Sequence, residues 1–488
     1  WLGAGLLAIL LVATLLRTLW LDVIPFGVNP DEGDRAAVAI QIVRDTTPAG
    51  IFEVGWYYIS MIYFHLMAFV FKWFGIGFVQ ARAFTACFGI ASVAISMWIG
   101  LRHFSWRVAL LAGILAATTG VVLQFSRLIT EAGPTATLWL LSLALMLEGA
   151  RGGRSLPWVL AGMAGGFSLY FYPTGRVWAL LALLWGGYLL VRWLLAKRTE
   201  TAAILRGLAI AAVAALVIAT PYLAWITAHP HELTLRFEQT TVFDPNNASR
   251  LGYVDPNWSE LRLVAEQTMR TLGIFNHFQD GGGVWPIQQP ILSRALALLV
   301  LLGVGLVSLR WRDPRRSLLG IAFWVGVSGV IITVETPNLI RMATAIPLLP
   351  ILAALVLEEG ILRTRAWFAT PLARERALWI ATAAAFLVAL SIGFVETRFY
   401  FTEYARMNLW QSANQEGRAL ALLPNGTRYT SLGTSFHMIN SGWVRLIAPN
   451  AERAGYKHPG SNLPFLGDGA HDVGVLLYPD QHAYLRWL

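Results

Sequence analysis

Four clusters of polar residues stand out in a chain that is otherwise apolar. The first, Asn29-Pro30-Asp31-Glu32-Gly33-Asp34-Arg35, opens a helical stretch that runs to Arg44. Acidic residues in a first turn are stabilised by the helix dipole by about 0.3–1 kcal/mol, so a plain helix start accounts for them. A carboxylate at a membrane surface also has a chemical use, because it can take a proton from an attacking hydroxyl. Its neighbour would then be a support or a metal ligand, and the sequence leaves a divalent cation open. The second cluster, Phe125-Ser126-Arg127-Leu128-Ile129-Thr130-Glu131-Ala132-Gly133-Pro134, sets Arg127 four residues from Glu131. Such an Arg often snorkels to the interface beside a local Glu, whereas ionisable residues that stay at membrane depth mark a substrate path. The third, Ser168 to Arg176, and the fourth, Glu335 to Arg341, each follow an apolar run with an aromatic or Pro-containing turn and then one Arg. Interfacial aromatic belts explain residues such as Tyr172. They do not explain why Arg82, Arg127, Arg176 and Arg341 cap separate runs at one level. Guanidinium groups gathered there would suit a phosphate or pyrophosphate, which Arg grips with two parallel hydrogen bonds.

The elements that must position these residues are membrane spans. Of 488 residues 56% are hydrophobic and 13% charged, with a mean hydropathy of +0.56, against about 25% charged in a soluble domain. About 20 apolar residues cross a bilayer as a helix. Eleven runs meet or approach that length, near 1–21, 79–101, 107–125, 134–150, 157–173, 176–196, 204–226, 291–310, 317–334, 340–358 and 377–395. Residues 56–74 carry a polar stripe and a basic end, and read as an amphipathic helix lying in the interface. The chain opens at Trp1 within an apolar run, so a short cytoplasmic start is expected to precede it. The tail is expected to be cut short at Leu488.

Charge sign orders these runs. Arg102 and Arg107, Arg151 and Arg154, Arg192 to Arg206, Arg310 to Arg316, and Arg363 to Arg376 lie in alternate connections, while the short connections between them carry only Arg127, Arg176 and Arg341. The positive-inside rule puts the first set in the cytoplasm and the second outside. The net charge of +9 thus reports orientation, and no nucleic-acid partner is needed to explain it. Parity places residues 227–290 and 396–488 outside as well. The loop 22–78 follows them if 56–74 does not span.

Residues 227–290 read as a long ordered loop or lid. Residues 396–488 alternate strand-like runs such as Val473–Tyr478 with turns such as Pro424-Asn425-Gly426, as a small α+β domain would. The single cysteine, Cys87, leaves no intramolecular disulfide to brace these parts. His229-Pro230-His231-Glu232, near Arg236, has metal-ligand spacing but sits in a polar loop where such pairs are ordinarily solvated. There is no Walker loop, dinucleotide glycine fingerprint or Cys/His zinc array, so nucleotide use has no support.

In order, Asp31-Glu32, Gly55-Trp56-Tyr57-Tyr58 ending in Phe74-Gly75, Ala81-Arg82-Ala83-Phe84, Phe125-Ser126-Arg127, Leu169-Tyr170-Phe171-Tyr172 with Arg176, and His229-Pro230 with Arg236 form a pattern. Over residues 20–345 it resembles the polytopic GT-C glycosyltransferases that use polyprenyl-phosphate sugars. The branch is that of protein O-mannosyltransferases, the lipid A aminoarabinose transferase and RgtA/B/C/D-like enzymes, similar to glycosyltransferase families 39 and 83. The resemblance implies an all-α polytopic membrane protein of GT-C type, with about 11 spans and juxtamembrane helices in the first outer loop. A transmembrane glycosyltransferase domain would cover 1–395, with outer loops 22–78 and 227–290, and an extracytoplasmic domain would cover 396–488.

It further implies a multi-pass protein of the plasma or inner membrane that moves a sugar from a polyprenyl-phosphate donor to a hydroxyl on protein, lipid or polysaccharide. Transfer would be inverting, with Asp31 as the catalytic base and Glu32 as its support. Arg82, Arg127, Glu131, Tyr172, Arg176 and Arg341 would be the substrate and phosphate residues. The family often carries Asp-Pro where this chain has Glu131-Ala132-Gly133-Pro134. A transporter or flippase of a lipid-linked sugar is the competing reading; it expects midplane charges and broken helices, and the spans are nearly free of midplane charge.

Overall fold

The computed structural model describes residues 1–25, 27, 30–46, 50–55, 59–196, 199–249, 251–255, 258–407, 417–418, 420–422, 428–432, 446–447, 452–457 and 473–477. The helices are α1 (Leu2–Thr18), α2 (Pro30–Val43), α3 (Ile62–Phe74), α4 (Phe78–His103), α5 (Trp106–Thr118), α6 (Gly120–Arg127), α7 (Ala132–Gly152), α8 (Ser155–Ser168) and α9 (Val177–Ala196). They continue as α10 (Thr199–Ala228), α11 (Pro230–Glu238), α12 (Pro245–Ala248), α13 (Glu260–Gly273), α14 (Arg294–Leu309), α15 (Pro314–Ile331), α16 (Leu349–Ala366) and α17 (Pro371–Arg398). Two 3₁₀ segments, Pro173–Arg176 and Ile340–Leu348, lead into α9 and α16. Every expected apolar run is helical.

Among the described residues five helical segments are long and apolar enough to cross a membrane: Phe78–His103, Pro173–Ala196, Glu200–Ala228, Ile340–Ala366 and Pro371–Arg406. The run expected as one span over 107–125 is instead two helices, α5 and α6, bent by 61° at Thr119, and counts as a sixth if taken together. The other expected spans, α1, α7, α8, α14 and α15, are helical but fall short in length or apolarity. The 56–74 segment yields only the 13-residue α3, about 20 Å at 1.5 Å per residue, too short for a hydrocarbon core of about 30 Å. Large apolar side chains on α9, α10 and α17, such as Leu183, Leu195, Val217, Ile380 and Phe394, lie exposed, as they would against lipid. This is a multi-pass membrane protein.

The chain divides into two compact units. One comprises Trp1–Leu19, Ala49–Tyr63 and Thr85–Glu403; the other comprises Trp20–Pro48, Phe64–Phe84 and Tyr404–Leu488. In the first unit α8 packs on α7 and α10, α16 on α5, α14 and α17, and α15 on the 340–348 segment. The α8–α10 contact is made backbone to backbone: a Cβ on Gly162 would lie 2.0 Å from the Ala211 carbonyl oxygen, and one on Gly166 would lie 2.6 Å from that of Ala215. Small residues spaced four apart allow this approach, since tight packing drives helix association in lipid. One end of this unit carries the basic connections expected to be cytoplasmic. Arg107 pairs with Glu358, Arg102 with Glu148 and Arg310 with Glu359, while Arg315 and Arg151 donate to the carbonyls of His103 and Arg102. The alternation of basic loops in the sequence is therefore an alternation of helix ends.

In the second unit, β1 (Arg428–Leu432), β2 (Glu452–Lys457) and β3 (Val473–Leu477) form a parallel sheet in the order β2-β1-β3. Val473–Leu477 of the run read as a strand over Val473–Tyr478 is β3, and Tyr478 lies outside the described residues. The chain connecting the strands, including Pro424-Asn425-Gly426, lies outside the described residues, as do Asn29 and Trp56-Tyr57-Tyr58.

Candidate functional site

The acidic motif becomes the first turn of α2. Pro30 fits a first helical position, where its missing N–H has no intrahelical partner to lose, and Asp31 and Glu32 meet the positive end of the helix. Glu32, Arg35, Ala36, Ala39 and Ile40 are buried at helical spacing, which makes one face of α2 inward. Asp31 falls off that face, and its carboxylate is 60% exposed, with Arg35 Nη1 at 3.6 Å.

Glu32 has a different fate. Arg82, in the first turns of α4, donates from Nε to Glu32 Oε1 at 3.2 Å and from Nη2 to Glu32 Oε2 at 3.2 Å. The same guanidinium donates to the carbonyls of Leu21 at 3.0 Å, Pro25 at 3.1 Å and Gly27. Gly27 has a φ of 82°, so its conformation favours glycine. Both charges are nearly sealed from solvent, at 0% and 3% exposure. The pair therefore ties the connection ahead of α2 to the start of the helix and fixes where Asp31 projects. Among the described residues no group of three His, Cys, Asp or Glu side chains could hold a metal ion.

The remaining site residues belong to the other unit. The elements that carry them converge: α6 packs on α7 and on 340–348, and 173–176 packs on α7 and on 340–348. Each guanidinium has hydrogen bonds of its own. Arg127 is buried and donates to the carbonyls of Leu16 at 2.6 Å and Leu19 at 2.8 Å, capping the C-terminus of α1. Arg341 donates to Glu335 Oε2 at 2.8 Å and to the Val334 carbonyl. Arg176 Nη2 donates to Tyr222 Oη at 2.7 Å. Glu131 is buried at the head of α7; its carbonyl accepts from Thr135 Oγ1 at 2.8 Å, which in turn accepts from the Tyr172 N–H at 2.9 Å, so the two turns are linked.

The Arg176–Tyr222 pair sits beside the proline of α10. Pro221, inside α10, has no N–H to donate, and the Tyr170 hydroxyl donates to the Ile218 carbonyl at 2.8 Å while accepting from the Tyr222 N–H at 3.3 Å. Arg176 and Tyr222 line a cavity of about 670 Å³ whose other walls are apolar, among them Leu169, Trp178 and Leu183 on one side and Ala209, Ala212 and Leu216 on α10. A mostly apolar cavity with an arginine among its lining residues is suited to an amphiphile carrying an anionic head.

Sequence reasoning missed Arg17, Asp280 and Glu396. Arg17 and Glu396 fall in or at the end of apolar runs, and nothing in their local sequence marks them. Asp280 precedes the Gly281-Gly282-Gly283 run. Its buried carboxylate accepts from the N–H groups of Gly282 at 3.0 Å, Trp285 at 2.9 Å and Leu339 at 2.8 Å, which fastens the loop to the segment before Arg341. Burial holds the Asp280 carboxyl above its ordinary range, and these backbone donors offset part of that rise. His229 stacks on Trp225 with ring centroids 4.3 Å apart and bonds its carbonyl, as a helix-end residue would; the side chains of Glu232 and Arg236 lie outside the described residues.

No family model and no curated protein matches the chain. Solved structures match it in fold. The oligosaccharyltransferase of Archaeoglobus fulgidus in the apo form is similar over 94% of this chain, with a TM-score of 0.59 at 14% identity. The archaeal oligosaccharyltransferase AglB from the same organism, in complex with an inhibitory peptide and a dolichol-phosphate, is similar over 93%, with a TM-score of 0.57 at 15% identity. ArnT from Cupriavidus metallidurans bound to undecaprenyl phosphate is similar over 93% of this chain and 85% of its own, with a TM-score of 0.54 at 17% identity. The chain spans 65% and 64% of the two archaeal chains. The GT-C fold expected from the sequence is the fold observed.

Proposed function

We propose that this protein is an inverting glycosyltransferase of the cell membrane. It moves a hexosyl or pentosyl group from a polyprenyl-phosphate donor to a hydroxyl on protein, lipid or polysaccharide at the extracytoplasmic face. The observation that carries the reading is the contrast within the acidic pair: the Asp31 carboxylate, at a helix start, is 60% exposed beside Arg35, while Glu32 is locked to Arg82 and holds that start in place. A base must reach its proton at hydrogen-bond distance, which favours an exposed group on a fixed element.

In the proposed reaction Asp31 removes the acceptor hydroxyl proton as that oxygen attacks the anomeric carbon. The bond from that carbon to the phosphate oxygen breaks, its electron pair stays on the phosphate, and polyprenyl phosphate departs from the opposite side, inverting the configuration. Arg176 is the best placed of the candidate phosphate residues, since its cavity has apolar walls for an isoprenoid chain. A cation there would stabilise the charge that develops on the leaving group. Arg82, Arg127 and Arg341 support the reaction from their places at chain turns. Support for the donor class comes from the like structures that hold dolichol-phosphate and undecaprenyl phosphate.

The test is incubation of the purified protein with a panel of polyprenyl-phosphate sugars, measuring free polyprenyl phosphate. Release that disappears in Asp31→Asn supports the reading. A carrier that only moves the lipid-linked sugar would release none from any donor.

A further inference from the structure

The broken span has a buried charge at each of its two facing ends. At the end of α5, Arg17 is fully buried and donates from Nη2 to the Ala116 carbonyl at 2.8 Å and from Nη1 to that of Ala117 at 3.1 Å. Its Nε reaches across the break to Ser126 Oγ on α6 at 3.2 Å. At the start of α6, the Glu396 carboxylate accepts from the Gly120 N–H at 3.1 Å, and its other oxygen accepts from the Ser293 N–H at 2.7 Å. A cation thus meets the C-terminal end of one half-helix and an anion the N-terminal end of the other, the arrangement that helix dipoles favour. Backbone groups freed by a break in an apolar run are strongly unfavourable unless satisfied, and these two residues satisfy the Ala116 and Ala117 carbonyls and the Gly120 N–H.

Further contacts fix α6 along its length. The Tyr400 hydroxyl donates to Gln124 Oε1 at 2.8 Å, and Gln124 Nε2 donates to the Val284 carbonyl at 3.0 Å. From α4, Gly89 comes so close that a Cβ there would lie 2.2 Å from Ser126 Oγ and 3.0 Å from Arg17 Nε. A broken span whose charges face a cavity would suggest a moving gate. Glu396 does line a cavity of about 460 Å³ with Trp285 and Phe399, but both its oxygens accept backbone N–H groups, as Arg17 donates to backbone carbonyls, which describes a fixed joint.

We infer that Arg17 and Glu396 are positioning residues: they set the angle of α6 and so place the Ser126–Glu131 segment, which carries Arg127 and the candidate acid Glu131. What α6 positions rests on the transferase reading, whereas the clamp does not.

The experiment is hydrogen exchange on the purified full chain, comparing wild type with Glu396→Gln, Arg17→Lys and Gly89→Ala. Turnover of the polyprenyl-phosphate sugar panel is measured on the same samples. In Glu396→Gln and Arg17→Lys the amides of 120–127 are expected to exchange about ten- to a hundredfold faster, the weight of one charge-assisted hydrogen bond, with α7, α8 and α10 unchanged. The value of kcat falls while the donor KM holds, and Gly89→Ala reproduces both effects without altering a charge. Unchanged exchange in α6, or loosening spread evenly through the helices, overturns the clamp. Loosening confined to α6 with kcat intact overturns the positioning role. Absence of turnover by the wild type with every donor sinks the transferase reading and the positioning role with it, and exchange in α6 still decides the clamp.

Discussion

Arg82 grips Glu32 with two nitrogens, each 3.2 Å from a different carboxylate oxygen, and the same guanidinium binds three backbone carbonyls of the connection that leads into α2. One buried cation thereby sets the position of the helix start that carries the exposed Asp31.

Removing one partner of a buried ion pair leaves the other uncompensated, which costs about 3–5 kcal/mol. Glu32→Gln and Arg82→Met are each expected to lower stability by roughly that amount, read from the denaturant midpoint in detergent. The double variant should recover part of the loss. Single variants within about 1 kcal/mol of wild type would show that the pair does not hold the helix start.

Asp31→Asn should behave in the opposite way. Its side chain is 60% exposed, and exposed ion pairs contribute little, so stability should change by no more than about 1 kcal/mol. Transfer should fall by about 10²–10⁴-fold, the usual contribution of a general base. Full activity in a folded Asp31→Asn protein removes the assignment.

Arg176→Gln is expected to raise the donor KM more than it lowers kcat, by removing a guanidinium from the cavity. Tyr222→Phe should have a smaller effect, since it deletes only the hydroxyl that accepts from Arg176. Steady-state kinetics with donors of decreasing isoprenoid length supply the control: if the cavity holds the chain, each shortening should weaken wild-type binding, and a flat response argues against it.

Asp280 gives stability a pH dependence of definite sign. Its carboxyl titrates above the ordinary value of 3.8 in the folded protein, so the folded state holds the proton more tightly than the unfolded chain. The contribution from protonated Asp280 is complete below about pH 4 and declines as pH rises through the elevated folded-state value. Thermal unfolding at a series of pH values should show this slope in the wild type and lose it in Asp280→Asn. The variant is less stable at every pH, because an amide oxygen cannot replace both carboxylate oxygens among three N–H donors. A slope unchanged in Asp280→Asn would place the titration elsewhere.

Much of this was legible in the chain. The eleven apolar runs and the Pro30 helix start depend on local patterns, and local patterns persist in the folded protein. Arg102, Arg107, Arg151, Arg310 and Arg315 were readable as one set because a helix that crosses and returns must bring alternate loops to the same end. The break at Thr119 was not readable. Residues 108–117 and 121–123 are apolar, and the hydroxyls of Thr118 and Thr119 between them, which bond the carbonyls of Ile114 and Leu115, are common in unbroken spans.

The sequence by itself determined that this is a polytopic membrane protein, which runs form its helices, and that Asp31 opens one of them. Composition and periodicity govern those properties, and each acts within a few neighbouring residues. Only the tertiary structure decided what the scarce charges do. Glu32 stands beside Asp31 in the chain, yet one is sealed against Arg82, fifty positions away, and the other is open to solvent. Arg17 and Glu396 meet the ends of a broken helix from opposite ends of the sequence. A charge in an apolar setting takes its role from the partner that satisfies it, and that partner is supplied by packing between segments distant in the chain.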